Sequence, residues 1–331
     1  MASVAKAASA SRGFRGGIDP LGEIKSMSAA RRREALQGYL FIAPWVIGFL
    51  SFTFYPMISS FWYSFNDYKI LTPAVWVGLR NYLYAFTGKP LGVDGDPLFW
   101  LSLLRTLTWG VVTVPLAVFG ALLTAVLLNQ AARGTSIYRT CFFLPSLTPG
   151  VAAILLWTWI LQPQIGVFNS VIKAATGLQG PNWLGSMEWA LPSLAMISLW
   201  SAVGGSRMII FLAALQGVPK EVYESAKVDG ANAIQSWWHI TVPLITPAIF
   251  FNLLLGIIGS FHVFTSAFVA TGGGPAYATY FYALHLYNQA FKSFDMGYAS
   301  ALAWILFVII MAFTLVQIKL SDRWVYYEAA R

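Results

Sequence analysis

Apolar residues along this chain fall into six runs, each close to or above the roughly 20 mainly apolar residues that a helix needs to cross a bilayer. They extend from Tyr39 to Phe65, Leu101 to Leu128, Thr140 to Leu161, Leu191 to Leu215, Leu244 to Ala270 and Tyr298 to Leu320. Pro44, Pro56, Pro115, Pro149 and Pro247 lie inside or near the ends of these runs. Membrane helices tolerate proline where neighbouring groups satisfy the freed carbonyls. The pattern predicts an all-α membrane protein of six transmembrane helices, with both termini on one side.

One polar stretch interrupts the apolar second half. Residues from Pro219 to Gly230 read as a short helix: Pro219 suits the first helical position, where its missing N–H costs nothing. Glu221 falls in the first turn, where the helix dipole favours an anion. Gly230 suits a left-handed C-terminal cap. About eleven residues give a helix of roughly 16 Å. Elsewhere, residues 1–38 are rich in Ala, Ser, Gly and Arg and are expected to form a mobile tail. Residues 66–100 carry turn signals such as Asp94-Gly95-Asp96-Pro97. A last connection begins Thr271-Gly272-Gly273-Gly274-Pro275 and continues through Tyr277, Tyr280, Tyr282 and Tyr287. Its tyrosines suit an interfacial belt, or contact with an external partner.

Composition agrees with the spans: 57% of residues are hydrophobic, 10% are charged and the mean hydropathy is +0.63. The formal charge of +8 raises the question of nucleic acid. The basic residues, however, sit at the ends of apolar runs, where they act as topology signals. The N-terminal segment, the second and fourth connections and the C-terminal end together hold fourteen Lys and Arg, against six on the other face. The richer face is expected to be cytoplasmic, which puts both termini and the polar stretch inside. The first 38 residues lack the apolar core of a cleavable signal. Their Ser and Arg content also fits a transit peptide, although Asp19, Glu23 and Arg31-Arg32-Arg33 suit a cytoplasmic anchor. The single Cys141 excludes an intramolecular disulfide.

No catalytic or metal-binding constellation emerges. Gly88-Lys89 runs into Pro90 without phosphate-loop spacing, and His239, His262 and His285 are far apart with no ligand spacing between them. None of the six runs contains Asp or Glu, which disfavours proton- or sodium-coupled transport and points to an energy source on another chain. Arg207 and His262 lie within runs and Arg105 near an end. Arg207 fits an interhelical hydrogen bond or snorkelling as well as a functional role, and His262 an interhelical bond. Asn252 and Ser260, eight residues apart on one helix face, suit either helix packing or sugar hydroxyls.

Glu224-Ser225-Ala226, three residues, Gly230, nine residues and then Ile240-Thr241-Val242-Pro243 resembles the cytoplasmic signature of ABC importer permeases: E-A-A, three residues, G, nine residues, I-x-L-P. Ser225 and Val242 depart from it by small changes of size. Residues 38–323 resemble the carbohydrate branch of that family, of the maltose-transporter first-permease type. Leu144-Pro145, Trp157, Gly166-Val167-Phe168-Asn169, Met208-Ile209-Ile210-Phe211-Leu212 with Leu215-Gln216, and the segment from Gly259 to Pro275 carry the likeness. His262 stands where Gln is commoner.

The resemblance implies a type I importer permease fold and a cytoplasmic coupling helix in the loop 216–243 that docks in a groove of an ATPase. Glu221, Tyr223, Glu224, Ser225, Ala226, Asp229 and Gly230 would form that coupling surface. Glu224 would be the polar contact, Ala226 the close-packing residue and Gly230 the turn. Trp200, Ser206, Asn252, Ser260, His262 and Phe264 would line the substrate path. The implied organisation is a tail over 1–38, a permease domain over 39–323 and a cytoplasmic end over 324–331. The implied partners are a second permease, two ATPases that hold ATP and Mg, and an external substrate-binding protein, in a prokaryotic cytoplasmic membrane. A sugar is the implied cargo. Glycerol phosphate or a polyol is the near alternative, and a stand-alone transporter or a membrane enzyme the remote ones.

Overall fold

The computed structural model describes residues 29–87, 95–130 and 134–326. Most of the expected tail, the Gly88-Lys89-Pro90 segment, Arg133 and the last five residues lie outside the described residues. The chain divides into two units, residues 1–60 and residues 61–331.

The first unit contains α1 (Ala29–Phe49), a wide π-turn over Leu50–Phe54 and the start of α2 (Tyr55–Tyr63). The helix thus begins ten residues ahead of Tyr39, so residues 29–38, expected as part of the tail, are helical although polar and basic. The π-turn stands just before Pro56. A proline ring has no N–H and collides with the carbonyl four residues back, and the wider register relieves that collision. The same device recurs at Trp237–Thr241, just before Pro243.

In the second unit, β1 (Asn66–Asp67) pairs antiparallel with β2 (Val75–Trp76), and α3 (Arg80–Phe86) follows. Next comes α4 (Phe99–Leu128), whose 30 residues extend about 45 Å. Among the described residues, this helix takes part in three large apolar clusters. Its first turns pack Phe99 and Leu103 with Tyr282, Tyr298 and Leu302. Its middle places Trp109 with Trp157, Leu194 and Phe281. Its last turns bury Val118, Ala121 and Ala125 with Phe211, Leu215 and Ile245. Ala117, Ala121 and Ala125 recur at four-residue spacing and are all buried, and small residues on one face let neighbouring membrane helices approach closely.

The remaining elements are α5 (Thr135–Leu147), α6 (Gly150–Ile160), α7 (Val167–Thr176), α8 (Ala190–Ala202), α9 (Ser206–Gln216), α10 (Lys220–Val228) and α11 (Ala233–Ser236). They continue with α12 (Val242–Phe261), α13 (Thr265–Ala270), α14 (Tyr282–Tyr287) and α15 (Met296–Ser321). Asn169 pins the loop after α7: its amide donates to the Pro163 and Pro181 carbonyls, and Trp183 donates to its Oδ1 at 2.7 Å.

Among the described residues, four helical segments are long and apolar enough to cross a bilayer: Arg32–Tyr63, Phe99–Leu128, Ala233–Phe261 and Met296–Ser321. The other two expected spans are broken. The run from Thr140 to Leu161 divides into α5 and α6, bent by 96°. Thr148 precedes a proline, which disfavours helical backbone, and it is extended with ψ 130. The run from Leu191 to Leu215 divides into α8 and α9, bent by 47°. There the Cβ of any other residue at position 204 would run into the Phe142 carbonyl oxygen, so Gly204 lets α5 press against the break. The fifth run also ends early, at Phe261 and not Ala270. Ser260 donates to the Ile257 carbonyl, and the His262 ring pairs with that of Ile258, so side chains occupy the last-turn acceptors.

Candidate functional site

Two regions collect the residues singled out by sequence. The first is α10. Pro219 is its N-cap, one position earlier than expected, and Glu221 lies in its first turn. Gly230 has φ +80, in the left-handed region. Its N–H donates to the Lys227 carbonyl at 3.1 Å and that of Ala231 to the Ala226 carbonyl at 2.9 Å, the paired bonds of a Schellman cap. Immediately afterwards a capping box opens α11: Gln235 N–H donates to Asn232 Oδ1, and Asn232 N–H to Gln235 Oε1.

Along α10, Glu221, Glu224, Ser225, Asp229 and Gly230 are exposed, and Ala226 is half-buried. The Ser225 hydroxyl is turned back onto its own helix, donating to the Glu221 carbonyl at 2.9 Å. Tyr223 faces the other way. It packs against the core at the last turns of α4, and its hydroxyl shares a 2.8 Å hydrogen bond with Thr241 at the start of α12. The short helix is thereby fastened to the base of a span. Its free side shows carboxylates together with Val228, which is 88% exposed.

The second region lies where α9 begins. Ser206 and Asn252 line one pocket of about 220 Å³, together with Ser146, Ser201 and Arg207. Ser260 lines another of about 210 Å³, which Arg207 also borders, with Trp109, Thr113 and Ser198. Trp200 faces a third, of about 520 Å³, with Cys141, Phe142 and Trp157. His262 and Phe264 border none of these three. His262 is exposed and caps α12, while Phe264 stacks on Phe268 at 5.1 Å and leans on Tyr287 at 5.0 Å. The structure thus brings Ser206 and Asn252 together, sets Ser260 across Arg207 from them, and leaves Trp200, His262 and Phe264 apart.

One polar cluster escaped the sequence reading. Asp96 and His285 are both buried, joined Oδ2 to Nε2 at 2.6 Å, and the Tyr298 hydroxyl donates to the same carboxylate oxygen at 2.6 Å. Leu98 N–H donates to Oδ1 at 2.9 Å. Burial raises the Asp96 pKa, but the hydrogen bond and charge of His285, with the Tyr298 and Leu98 donors, outweigh it and hold the carboxyl below its ordinary range. Tyr280 and Tyr282 are buried beside this cluster, so they are core residues and not an interfacial belt; burial pushes the Tyr280 hydroxyl up. The sequence signal was thin: Asp96 stood in a turn motif, and His285 had no ligand at motif spacing.

Among known proteins, the family model described as "Binding-protein-dependent transport system inner membrane component" matches residues 115–326. The "Probable ABC transporter permease protein YesP" of Bacillus subtilis is 43% identical over 305 residues, covering 91% of this chain and 96% of that protein. The "Trehalose/maltose transport system permease protein MalF" of Thermococcus litoralis is 31% identical over 295 residues, covering 89% and 96%. A solved structure titled as a bacterial alginate ABC transporter in complex with an alginate pentasaccharide-bound periplasmic protein shares the fold. Its TM-score is 0.76 at 24% identity, with 88% of this chain and 96% of that chain covered.

Proposed function

The chain belongs to the family of binding-protein-dependent transport system inner membrane components, multi-pass membrane proteins of ABC transporters, and on that footing we propose that it is one permease of an ATP-driven sugar or oligosaccharide importer. The observation that carries the reading is α10: a short, doubly capped helix, fastened by Tyr223 to α12 and showing carboxylates and an apolar Val228 to a partner. Relatives named for trehalose/maltose and for arabinooligosaccharides support a sugar as cargo over glycerol phosphate or a polyol.

In this reading the chain pairs with a second permease, holds no nucleotide and meets two ATPases that carry ATP and Mg. It takes cargo from an external binding protein. Both termini lie in the cytoplasm. Glu221, Glu224 and Asp229 are the polar contacts of α10, Ala226 admits close approach and Gly230 makes the turn. When the ATPases close, α10 moves with them, and Tyr223 passes the displacement to α12. There Asn252 and Ser260 line the path, with Ser206 and Trp200 opposite, His262 at the helix end and Phe264 beyond it.

The test is uptake and substrate-stimulated ATP hydrolysis by the assembled complex. Glu224→Lys and Gly230→Pro are expected to lower both together, while Tyr223→Phe, lacking one hydrogen bond worth about 1 kcal/mol, lowers coupling about fivefold. Normal uptake in the first two variants sinks the assignment of α10.

A further inference from the structure

Among the described residues, Arg207 has no counter-ion. It lies on the second residue of α9, inside an apolar run, and none of the six runs contains a carboxylate. Among the described residues no hydrogen bond or ion pair reaches its guanidinium, and the ion pair found there joins His285 to Asp96. Charged side chains at membrane depth are costly and mark substrate pathways or pair with a partner. Among the described residues this one reaches neither a carbonyl nor a carboxylate. It borders two pockets at once.

A Cβ at Gly256 would stand 2.7 Å from Val114 Cγ1, so the glycine lets α12 press against α4 at this level, and the Arg207 guanidinium lies beside it, with Nη2 3.5 Å from that Cβ position. The break at Gly204-Gly205 makes Ser206 the first residue of a new helix within the apolar zone, and no side chain caps it. Half-helix N-termini at this depth direct backbone N–H groups and a positive dipole end at anionic cargo.

A second, independent polar group marks the same pocket. Asn252 is 1% exposed, its amide donates to the Ala248 carbonyl, and its Oδ1 is buried with no partner. A buried acceptor left open requires a donor. The pocket therefore offers a cation, helix N–H groups and serine hydroxyls, with the Asn252 side chain in its lining. A sugar that carries an anionic group beside its hydroxyls suits this lining. Guanidinium grips carboxylate and phosphate alike through paired N–H donors.

We propose that Arg207, with Asn252 and the N-terminus of α9, selects an anionic sugar, a uronate or a sugar phosphate, as this permease's cargo. The proposal rests on the sugar-importer reading above. The test reconstitutes the complete importer with its binding protein in proteoliposomes. A mixed panel of gluco-, galacto- and manno-configured disaccharides is presented, each in neutral, uronate and 6-phosphate form, and the lumen is assayed by mass spectrometry after ATP addition.

The wild type is expected to accumulate an anionic form in excess of its neutral counterpart, and which one accumulates separates carboxylate from phosphate. Arg207→Gln should lower that uptake about tenfold or more relative to the neutral form, as loss of charged hydrogen bonds implies. Because one binding protein serves both complexes, a changed ratio belongs to the permease. If the wild type accumulates neutral sugars instead, this proposal falls and the importer reading stands; if no sugar accumulates, both fall. An equal loss of neutral and anionic uptake in the variant makes Arg207 structural and overturns the proposal. Should Arg207→Gln fail to assemble, Arg207→Lys replaces it: loss of the paired grip lowers the anionic-to-neutral ratio, and an unchanged ratio overturns the idea.

Discussion

Asp96 and His285 stand 189 positions apart in the chain and 2.6 Å apart in the fold. With Tyr298, which donates to the same carboxylate oxygen, they join the approach to α4, the helix α14 and the first turn of α15. Removing one member of a buried pair leaves the other uncompensated, which costs about 3–5 kcal/mol. Asp96→Ala should therefore lower the thermal midpoint of the assembled complex by several degrees, and His285→Ala should do much the same. The double variant should lose less than the two single losses combined, since each removes the same interaction. Full additivity would show that the pair is not coupled.

Acid should act on the same cluster. The Asp96 carboxyl is held below its ordinary range by His285, Tyr298 and the Leu98 N–H, against the opposing effect of burial. A carboxylate with a lowered folded pKa stabilises in full above its unfolded value of about 3.9, and that stability is lost as pH falls through the folded value. The wild-type midpoint should therefore drop more steeply below about pH 4 than that of Asp96→Asn, which cannot titrate there. Parallel curves for the two proteins would remove Asp96 from the account.

The break between α8 and α9 makes a sharper prediction. At Gly204 even a methyl group meets the Phe142 backbone carbonyl, which no rotamer change can move aside. Gly204→Ala should therefore force α5 away from the break and cost about 1–3 kcal/mol, as overpacking does. Gly259→Ala, in α12 and with nothing within 4 Å of the added carbon, is the control and should be nearly silent. The readouts are complex yield and thermal midpoint; equal behaviour of the two variants would refute the close approach.

What was legible in the sequence follows from how local each cause is. Pro219, Glu221 and Gly230 act on backbone within a few residues, and α10 with its left-handed turn was readable for that reason. Hydropathy counts apolar residues but does not register a change of direction. The bends at Thr148-Pro149 and Gly204-Gly205 therefore hid inside two runs that read as continuous. Gly204 in particular owes its place to a carbonyl on Phe142, a neighbour that no local pattern names. Arg207 was conspicuous as a charge in an apolar run, whereas its lack of a partner among the described residues is a fact of three dimensions. His262 looked like a pocket residue because it is polar and intramembrane; the fold uses its ring to close a helix end. Asp96 and His285 left almost no trace, since a contact over 189 positions has no spacing to recognise.

The back-to-back caps at Gly230 and Asn232 carry a thermodynamic consequence for assembly. A flexible loop that folded only on meeting its partner would lose backbone freedom worth about 1–2 kcal/mol per residue at that moment. Here the cap of one helix adjoins the box that opens the next, so the turn between them is held by its own hydrogen bonds and needs none from a partner. Preorganisation of this kind spares association that ordering cost. It also leaves little slack in the joint to absorb a push. On the proposed coupling role, the geometry that lowers the cost of docking would also carry a displacement of α10 to α12 through Tyr223 and Thr241.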